Sequence, residues 1–285
     1  MGLLSGLKDL GLGKIENAEI YEKKIENPAK KEDVPAKIEQ TFDENEVLFD
    51  KSCVCPACDN KFTFRAVRTG KARLIGTDND LRPRYDKFDP IKYDVIVCTK
   101  CGYAAVTRFF EKVTQSQAKL IGEQIAGRVR GIKNTGVLSY DDAIARHQVA
   151  LASAVVKKGA ASEKAYTCLK MAWCLRGKRE TYQKDAADYD DVIEMCCMDE
   201  AEALKGAYEG FVMARESERF PIAGMNEETL DYLIAELAFT NGEFDVSTKL
   251  ISQLLLKTGV NSRIKDKCRD LKDRIQLEKS KQKGE

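Results

Sequence analysis

Two Cys-x-x-Cys pairs carry the most chemistry in this sequence: Cys55-Pro56-Ala57-Cys58, and Cys98-Thr99-Lys100-Cys101 followed by Gly102-Tyr103. A two-residue spacer turns the chain so that both thiolates of a pair can reach one ion while backbone amides donate to the sulfurs. Two pairs complete a tetrahedral shell, and we read Cys55, Cys58, Cys98 and Cys101 as metal ligands. Gly102 falls where such a turn often needs a residue tolerant of positive φ. A full four-thiolate shell leaves no position for substrate, so a structural Zn2+ is the expectation. Iron in a rubredoxin-like centre uses the same ligands and stands as the alternative. A redox-active Cys-x-x-Cys fits less well, because two matched pairs make a better cage than an exchange site. Cys53 lies just before the first ligand and reads as a packing residue, since the shell is already full. The gap of about forty residues exceeds the commonest spacing of about 15–20, and a β-hairpin with an inserted loop would absorb the excess.

Other reactive groups are sparse. His147 is the single histidine, with no partnered nucleophile nearby in sequence, and no phosphate-binding glycine loop, serine elbow or His-Glu metal motif appears. We therefore read no enzymatic role. Asp188, Asp190, Asp191, Glu227 and Glu228 stand where helices open, and the helix dipole accounts for them without catalysis. Cys168, Cys174, Cys196, Cys197 and Cys268 read as small core residues, and Met171, Met195 and Met198 as core filler. Between the ligand pairs, Lys61, Arg65, Arg68, Lys71, Arg73, Arg82, Arg84 and Lys87 interleave with Phe62, Phe64 and Tyr85. Such a ribbon could bind RNA or single-stranded DNA. Asp78, Asp80, Asp86 and Asp89 dilute its field, and a solvated sheet face with a salt-bridged loop is the preferred reading.

The elements that must place the ligands are strands. Residues 61–68 alternate apolar and polar side chains, and 93–97 are rich in strand formers, so each Cys-x-x-Cys turn has a strand beside it. Pro83, Pro90 and several aspartates mark 78–90 as a loop. Ahead of this module, residues 1–45 form an N-terminal segment and charged linker. Leu3, Leu4, Leu7 and Leu10 there have helical spacing, read either as a docking segment or as a frayed end. The module spans 46–112, and 113–285 is helical to the end. Apolar spacing marks helices near 115–131, 139–157, 162–177, 187–215, 227–240, 245–257 and 261–279, with Thr114 and Ser139 as caps. Glycine-rich breaks between them suggest stacked helical hairpins. The segment from Thr229 to Leu256 resembles a tetratricopeptide repeat, with small Ala235, an Asn241-Gly242-Glu243-Phe244 turn and small Ser247. Gly259 stands where that repeat usually has Pro. Residues 138–143 look like the start of a second repeat helix, and 163–177, with Ala165, Leu169, Ala172 and Trp173, like a first. Stacked hairpins leave a concave groove suited to peptides; a plain bundle without a groove is the competing reading.

Bulk properties set limits. The chain has 285 residues, 47 basic and 46 acidic, for a net charge of +1. A near-neutral balance offers no global attraction to nucleic acid or anionic lipid. No apolar run approaches the roughly 20 residues that a membrane span needs. The N-terminus lacks a basic start and apolar core, and Gly6 occupies the position where myristoylation favours Ser or Thr. Ten cysteines without a secretory signal point to metal binding in a reducing compartment, hence the cytoplasm.

These residues together resemble a bacterial family known only as domain of unknown function 2225. The likeness rests on Cys55-Pro-x-Cys58, Leu74 in a basic strand, and Tyr93-Asp-Val-x-Val-Cys98-x-x-Cys101-Gly-Tyr-Ala-Ala105. It extends to Lys164-Ala-x-x-x-Leu-x-x-Ala-Trp173 and the opening Gly-Leu-Lys-Asp-Leu-Gly-Leu-Gly13. Thr99 replaces the usual proline of the second pair, away from the ligands. The resemblance implies an α+β chain: a small β-rich zinc-ribbon-like head and an all-α tetratricopeptide-like tail. The expected function is a zinc-binding cytoplasmic scaffold whose tail takes a protein or peptide partner.

Overall fold

The structure is a computed structural model that describes residues 9–13 and 42–283. Among these residues the chain is α+β: three two-stranded antiparallel sheets followed by seven α-helices. The first sheet pairs β1 (Leu48–Val54) with β2 (Lys61–Val67) along their whole length, from Leu48 opposite Val67 to Val54 opposite Lys61. β2 obeys the alternation of its sequence, with Phe64 buried and Lys61 and Thr63 exposed. β1 has no clean alternation, and its pairing with β2 makes it a strand.

The stretch expected as a loop at 78–90 needs correction. Strand β4 (Pro83–Tyr85) pairs there with β3 (Leu74–Thr77), so an added hairpin is inserted between the two ligand pairs. The strand expected at 93–97 begins later: Pro90–Tyr93 forms a 3-10 turn capped by Asp89, and β5 is Val95–Val97. It pairs with β6 (Ala104–Val106), and both are buried throughout.

The helices are α1 (Gln115–Gln124), α2 (Tyr140–Val156), α3 (Ala161–Thr181), α4 (Tyr189–Ser217), α5 (Glu227–Thr240), α6 (Phe244–Leu256) and α7 (Ser262–Lys283). Thr114 and Ser139 each form a reciprocal capping box, with Gln117 and Asp142 respectively. α1 is shorter than the expected 115–131, because Gly127 and Gly131 take positive φ and break the helical hydrogen-bond pattern. α5 and α6 form the hairpin read from the sequence. Its Asn241-Gly242 turn brings Ala235 and Ser247 together, and Ser247 Oγ donates to the Ala235 carbonyl at 2.8 Å.

Of the N-terminal leucines, Leu10 lies among the described residues and Leu3, Leu4 and Leu7 outside them. The Leu10 carbonyl accepts from the Arg130 amide at 3.0 Å, and Leu12 is buried. One buried cluster includes Leu12, the cysteines Cys55, Cys98 and Cys101, β5, β6 and residues from α1 to α5. A second joins α5, α6 and α7. α2 lies on β5 and β6, where alanines on both sides permit close approach, and the Ala104 amide donates to Ser153 Oγ at 3.2 Å.

Candidate metal centre

Each ligand pair occupies the turn of a hairpin, the first between β1 and β2, the second between β5 and β6. The two turns repeat one hydrogen-bond scheme. Cys55 N donates to Asn60 O at 2.9 Å and Asp59 N to Cys55 O at 2.9 Å. In the second turn Cys98 N donates to Tyr103 O at 2.8 Å and Gly102 N to Cys98 O at 3.0 Å. Both schemes need positive φ at the fourth residue after the first cysteine, which is 56° at Asp59 and 75° at Gly102. Gly102 was legible from sequence. Asp59 was passed over, although an aspartate before an asparagine in a turn is itself a signal for that conformation.

The four sulfurs lie within 4.8 Å of one another. Cys55 Sγ is 3.7 Å from Cys101 Sγ, and Cys58 Sγ is 3.7 Å from Cys98 Sγ. A tetrahedral ion with metal–sulfur bonds of about 2.3 Å requires sulfur–sulfur edges of about 3.8 Å. None of the ten cysteines forms a disulfide. Asn60 Nδ2 reaches Cys98 Sγ at 3.9 Å and Thr99 Oγ1 at 3.4 Å, linking one turn to the other.

Electrostatics also favour a cation. Hydrogen bonds from Cys101 and Cys55 hold the Cys98 thiol well below its usual value despite burial. For Cys55 the bond with Cys101 lowers the value, but the bond with Cys98 and burial outweigh it, pushing Cys55 up to about 12. Cys101 is raised by its bonds with Cys55 and Cys98. One thiolate is thus easily formed while its neighbours resist, because adjacent anions repel in a site of low polarity. A divalent ion at the centre would allow all four to ionise. The residues present fit such an ion.

The surrounding packing holds the second turn firmly. Tyr103 is fully buried, and its hydroxyl donates to the Phe110 carbonyl at 3.2 Å. Lys157 Nζ donates to Tyr103 Oη at 3.2 Å and pairs with Glu163 at 2.8 Å. Val129 lies directly over Gly102, where a Cβ would come within 2.6 Å of its side chain. Cys53 stands half-buried on β1 beside the cluster, outside the set of four sulfurs.

Three of the eight basic residues read between the pairs form ion pairs within the chain. Arg82 is 2% exposed and bonds Asp89 and Glu180; Arg84 bonds Asp78 and Glu180; Arg65 bonds Asp50. Phe64 is buried and Phe62 packs edge-on against Phe110, so these rings do not form a stacking platform. His147 is wholly buried in α2 with Nδ1 donating to the Ala143 carbonyl at 2.7 Å. No helix of the described residues is long and apolar enough to cross a membrane.

No curated protein and no solved structure matches this chain. One family model does, over residues 48–275, from the first residue of β1 well into α7. The matched span includes all four clustered cysteines and most of the helical region, and the chain belongs to the DUF2225 family, described as uncharacterized proteins conserved in bacteria.

Proposed function

We propose that Cys55, Cys58, Cys98 and Cys101 hold one structural Zn2+, and that the helical region is a cytoplasmic scaffold for a protein or peptide partner. The observation that carries the metal assignment is the repeated turn: two hairpins with one hydrogen-bond scheme bring four sulfurs within 4.8 Å of one another, two of the distances between them being 3.7 Å. A redox-inactive ion suits a site whose ligands belong to the main buried cluster, with Cys58 alone of the four half-buried. Metal binding in such a site contributes about 10–16 kcal/mol at neutral pH, enough to hold short strands that bury little by themselves. The scaffold role is supported by the hairpin packing of α5 on α6, which puts Ala235 and Ile251 in one buried cluster.

Metal analysis of natively purified protein tests the centre. One zinc per chain is expected, lost in the Cys58→Ser/Cys101→Ser variant together with the near-ultraviolet signal of the buried tyrosines. A coloured, iron-loaded protein would transfer the site to the rubredoxin-like reading. Absence of any bound metal would refute both.

A further inference from the structure

Strand β3 is exposed at each of its four residues, and among the described residues it pairs with β4 alone. Its other edge therefore presents main-chain donors and acceptors to solvent. Leu74 and Ile75 are 56% and 63% exposed, and a bulge between Leu74 and Gly76 leaves Ile75 without a partner on β4. Edge strands are commonly blunted by a lysine or a proline, and β3 carries neither. The hairpin is held from its other side. Arg84 of β4 bonds Glu180 of α3 at 2.8 Å. At the tip, Trp173 of α3 donates to Asp80 at 3.0 Å, Tyr232 of α5 to the Asn79 carbonyl at 2.8 Å and Lys267 of α7 to the Asp78 carbonyl at 3.0 Å. The open edge is thus fixed in place, and nothing has to move to expose it.

The charge leading into this edge has one sign. Residues 61–77 hold Lys61, Arg65, Arg68, Lys71 and Arg73 and no acidic residue. Arg65 pairs with Asp50. Arg68, Lys71 and Arg73 are exposed and have no carboxylate partner among the described residues; Arg68 lies over the Phe49 ring. Asp86 meets Arg73 across the hairpin base, its amide donating to the Arg73 carbonyl at 3.0 Å, without an ion pair between the side chains.

These features select among occupants. A second copy's β3 would set a second group of cations against the first, and like charges on paired strands repel. A membrane would have to take up Leu74 and Ile75 together, but adjacent strand residues point to opposite faces, and the tip that could insert is bonded to the helices. A nucleic acid finds no stacking platform, since Phe64 is buried and Phe62 packs on Phe110. An extended acidic segment meets every feature: its main chain pairs with the open edge, its side chains reach Leu74 and Ile75 on the two faces, and its carboxylates reach the three cations. We infer that the open edge of β3 binds an extended acidic segment of a partner protein, which adds a third strand to the β3–β4 hairpin. This surface lies outside the helical region to which the scaffold role is assigned, and the inference stands apart from that role.

The test uses full-length, metal-loaded protein and the synthetic peptide Asp-Val-Glu-Val-Thr-Val-Glu-Asp. One twin carries Asn and Gln in place of Asp and Glu, and a second is N-methylated at its four central residues, which removes their main-chain donors. The acidic peptide should bind about tenfold or more tightly than either twin, and the Lys71→Ala/Arg73→Ala variant should lose about tenfold in affinity for it. Hydrogen exchange locates the contact: β3 amides should slow about tenfold or more with saturating peptide, while those of α3 stay unchanged. No binding at about 1 mM peptide, twins that bind as well as the acidic peptide, or protection confined to other parts of the chain overturns the inference. A variant with native circular dichroism that binds as tightly as wild type does the same. If the variant fails to fold, the two twins and the exchange pattern on wild type decide. Anionic vesicles or a single-stranded oligonucleotide that slow the β3 amides when the acidic peptide does not would give the edge another ligand and refute this one.

Discussion

Replacing Arg176 by Met tests the buried charge network that seats the turn at residues 78–82, between β3 and β4, against α3. Arg176 lies under Asp78, Asp80 and Glu200, with bonds of 3.1, 2.7 and 2.7 Å, and its side chain is 15% exposed. Met keeps the length of the side chain and removes its charge and all of its donors. Three charge-assisted hydrogen bonds at about 1.5–3 kcal/mol each set the ceiling of the loss. Each carboxylate keeps at least one other donor: Arg84 for Asp78, Trp173 and the Arg82 amide for Asp80, and Arg179 for Glu200. The expected cost is therefore about 3–4 kcal/mol, the lower part of the range for breaking a buried ion pair. Its pH dependence has a definite sign. Burial alone would raise the Asp78 carboxyl, but hydrogen bonds and charge from Arg84 and Arg176 hold it below its ordinary value. A carboxylate lowered in this way adds stability at neutral pH, and that stability is lost as pH falls through the folded value. Without Arg176 the carboxyl titrates nearer its usual range and has less to lose, so the gap between wild type and variant should narrow on acidification. Denaturant unfolding at pH 7 and at about pH 3, below the ordinary aspartate value, measures this directly. Arg269→Met, which breaks an exposed pair with Asp266, serves as control and should cost under about 0.5 kcal/mol. A loss below about 1 kcal/mol at Arg176, or a gap that widens in acid, would refute the reasoning.

Other expectations follow from single contacts. Gly102→Ala should destabilise by about 2–4 kcal/mol in thermal unfolding, from positive φ and the clash with Val129, and Val129→Ala should restore part of the loss. Asp59→Gly, at the matching position of the first turn, should be neutral or stabilising by up to about 1 kcal/mol; a large loss there would deny that the two turns are equivalent. Burial pushes His147 down to about 4, so the unfolded chain takes up a proton first on acidification and stability should fall by about 1.4 kcal/mol per pH unit below pH 6.5. His147→Leu should flatten that limb of the stability profile, and an unchanged slope would assign it to other groups. Gly11→Ala would set a Cβ 1.7 Å from the Arg128 carbonyl, so hydrogen exchange at the Arg130 amide should rise about tenfold or more as residues 9–13 lose their seat.

The clustering of Cys55, Cys58, Cys98 and Cys101 is legible in the sequence, because a Cys-x-x-Cys turn is a local device set by its spacing. β2 and the capped starts of α1 and α2 were legible for the same reason, since alternation and capping boxes act within a few residues. What escaped was non-local. β1 is a strand only beside β2, β6 is a run of three small or branched residues that α2 covers, and β4 begins with a proline. In sequence, Asp78, Asp80, Arg82 and Arg84 looked like opposed charges on a solvated loop. Their partners Trp173, Arg176 and Glu180 lie about a hundred residues further along, and no local pattern connects them. The salt-bridged character of the loop was anticipated, but its place against three helices was not.

The order of elements along the chain connects the four-cysteine cluster to the turn at residues 78–82. Cys58 and Cys98 are 40 residues apart, and the turn bonded by Trp173 and Arg176 starts at Asp78, midway between them. Closing a flexible loop of that length costs about 3–4 kcal/mol of chain entropy. An ion bound at the proposed centre would hold both ends and absorb this cost, leaving the turn to meet Trp173 and Arg176 as part of a short, anchored hairpin. At the second end, β6 is bonded to Ser153 of α2, so the hairpin's base and its receiving helices belong to one packed body. A substitution that loosens the four sulfurs should therefore also loosen the turn at 78–82, raising hydrogen exchange at its amides, although the cysteines do not touch it.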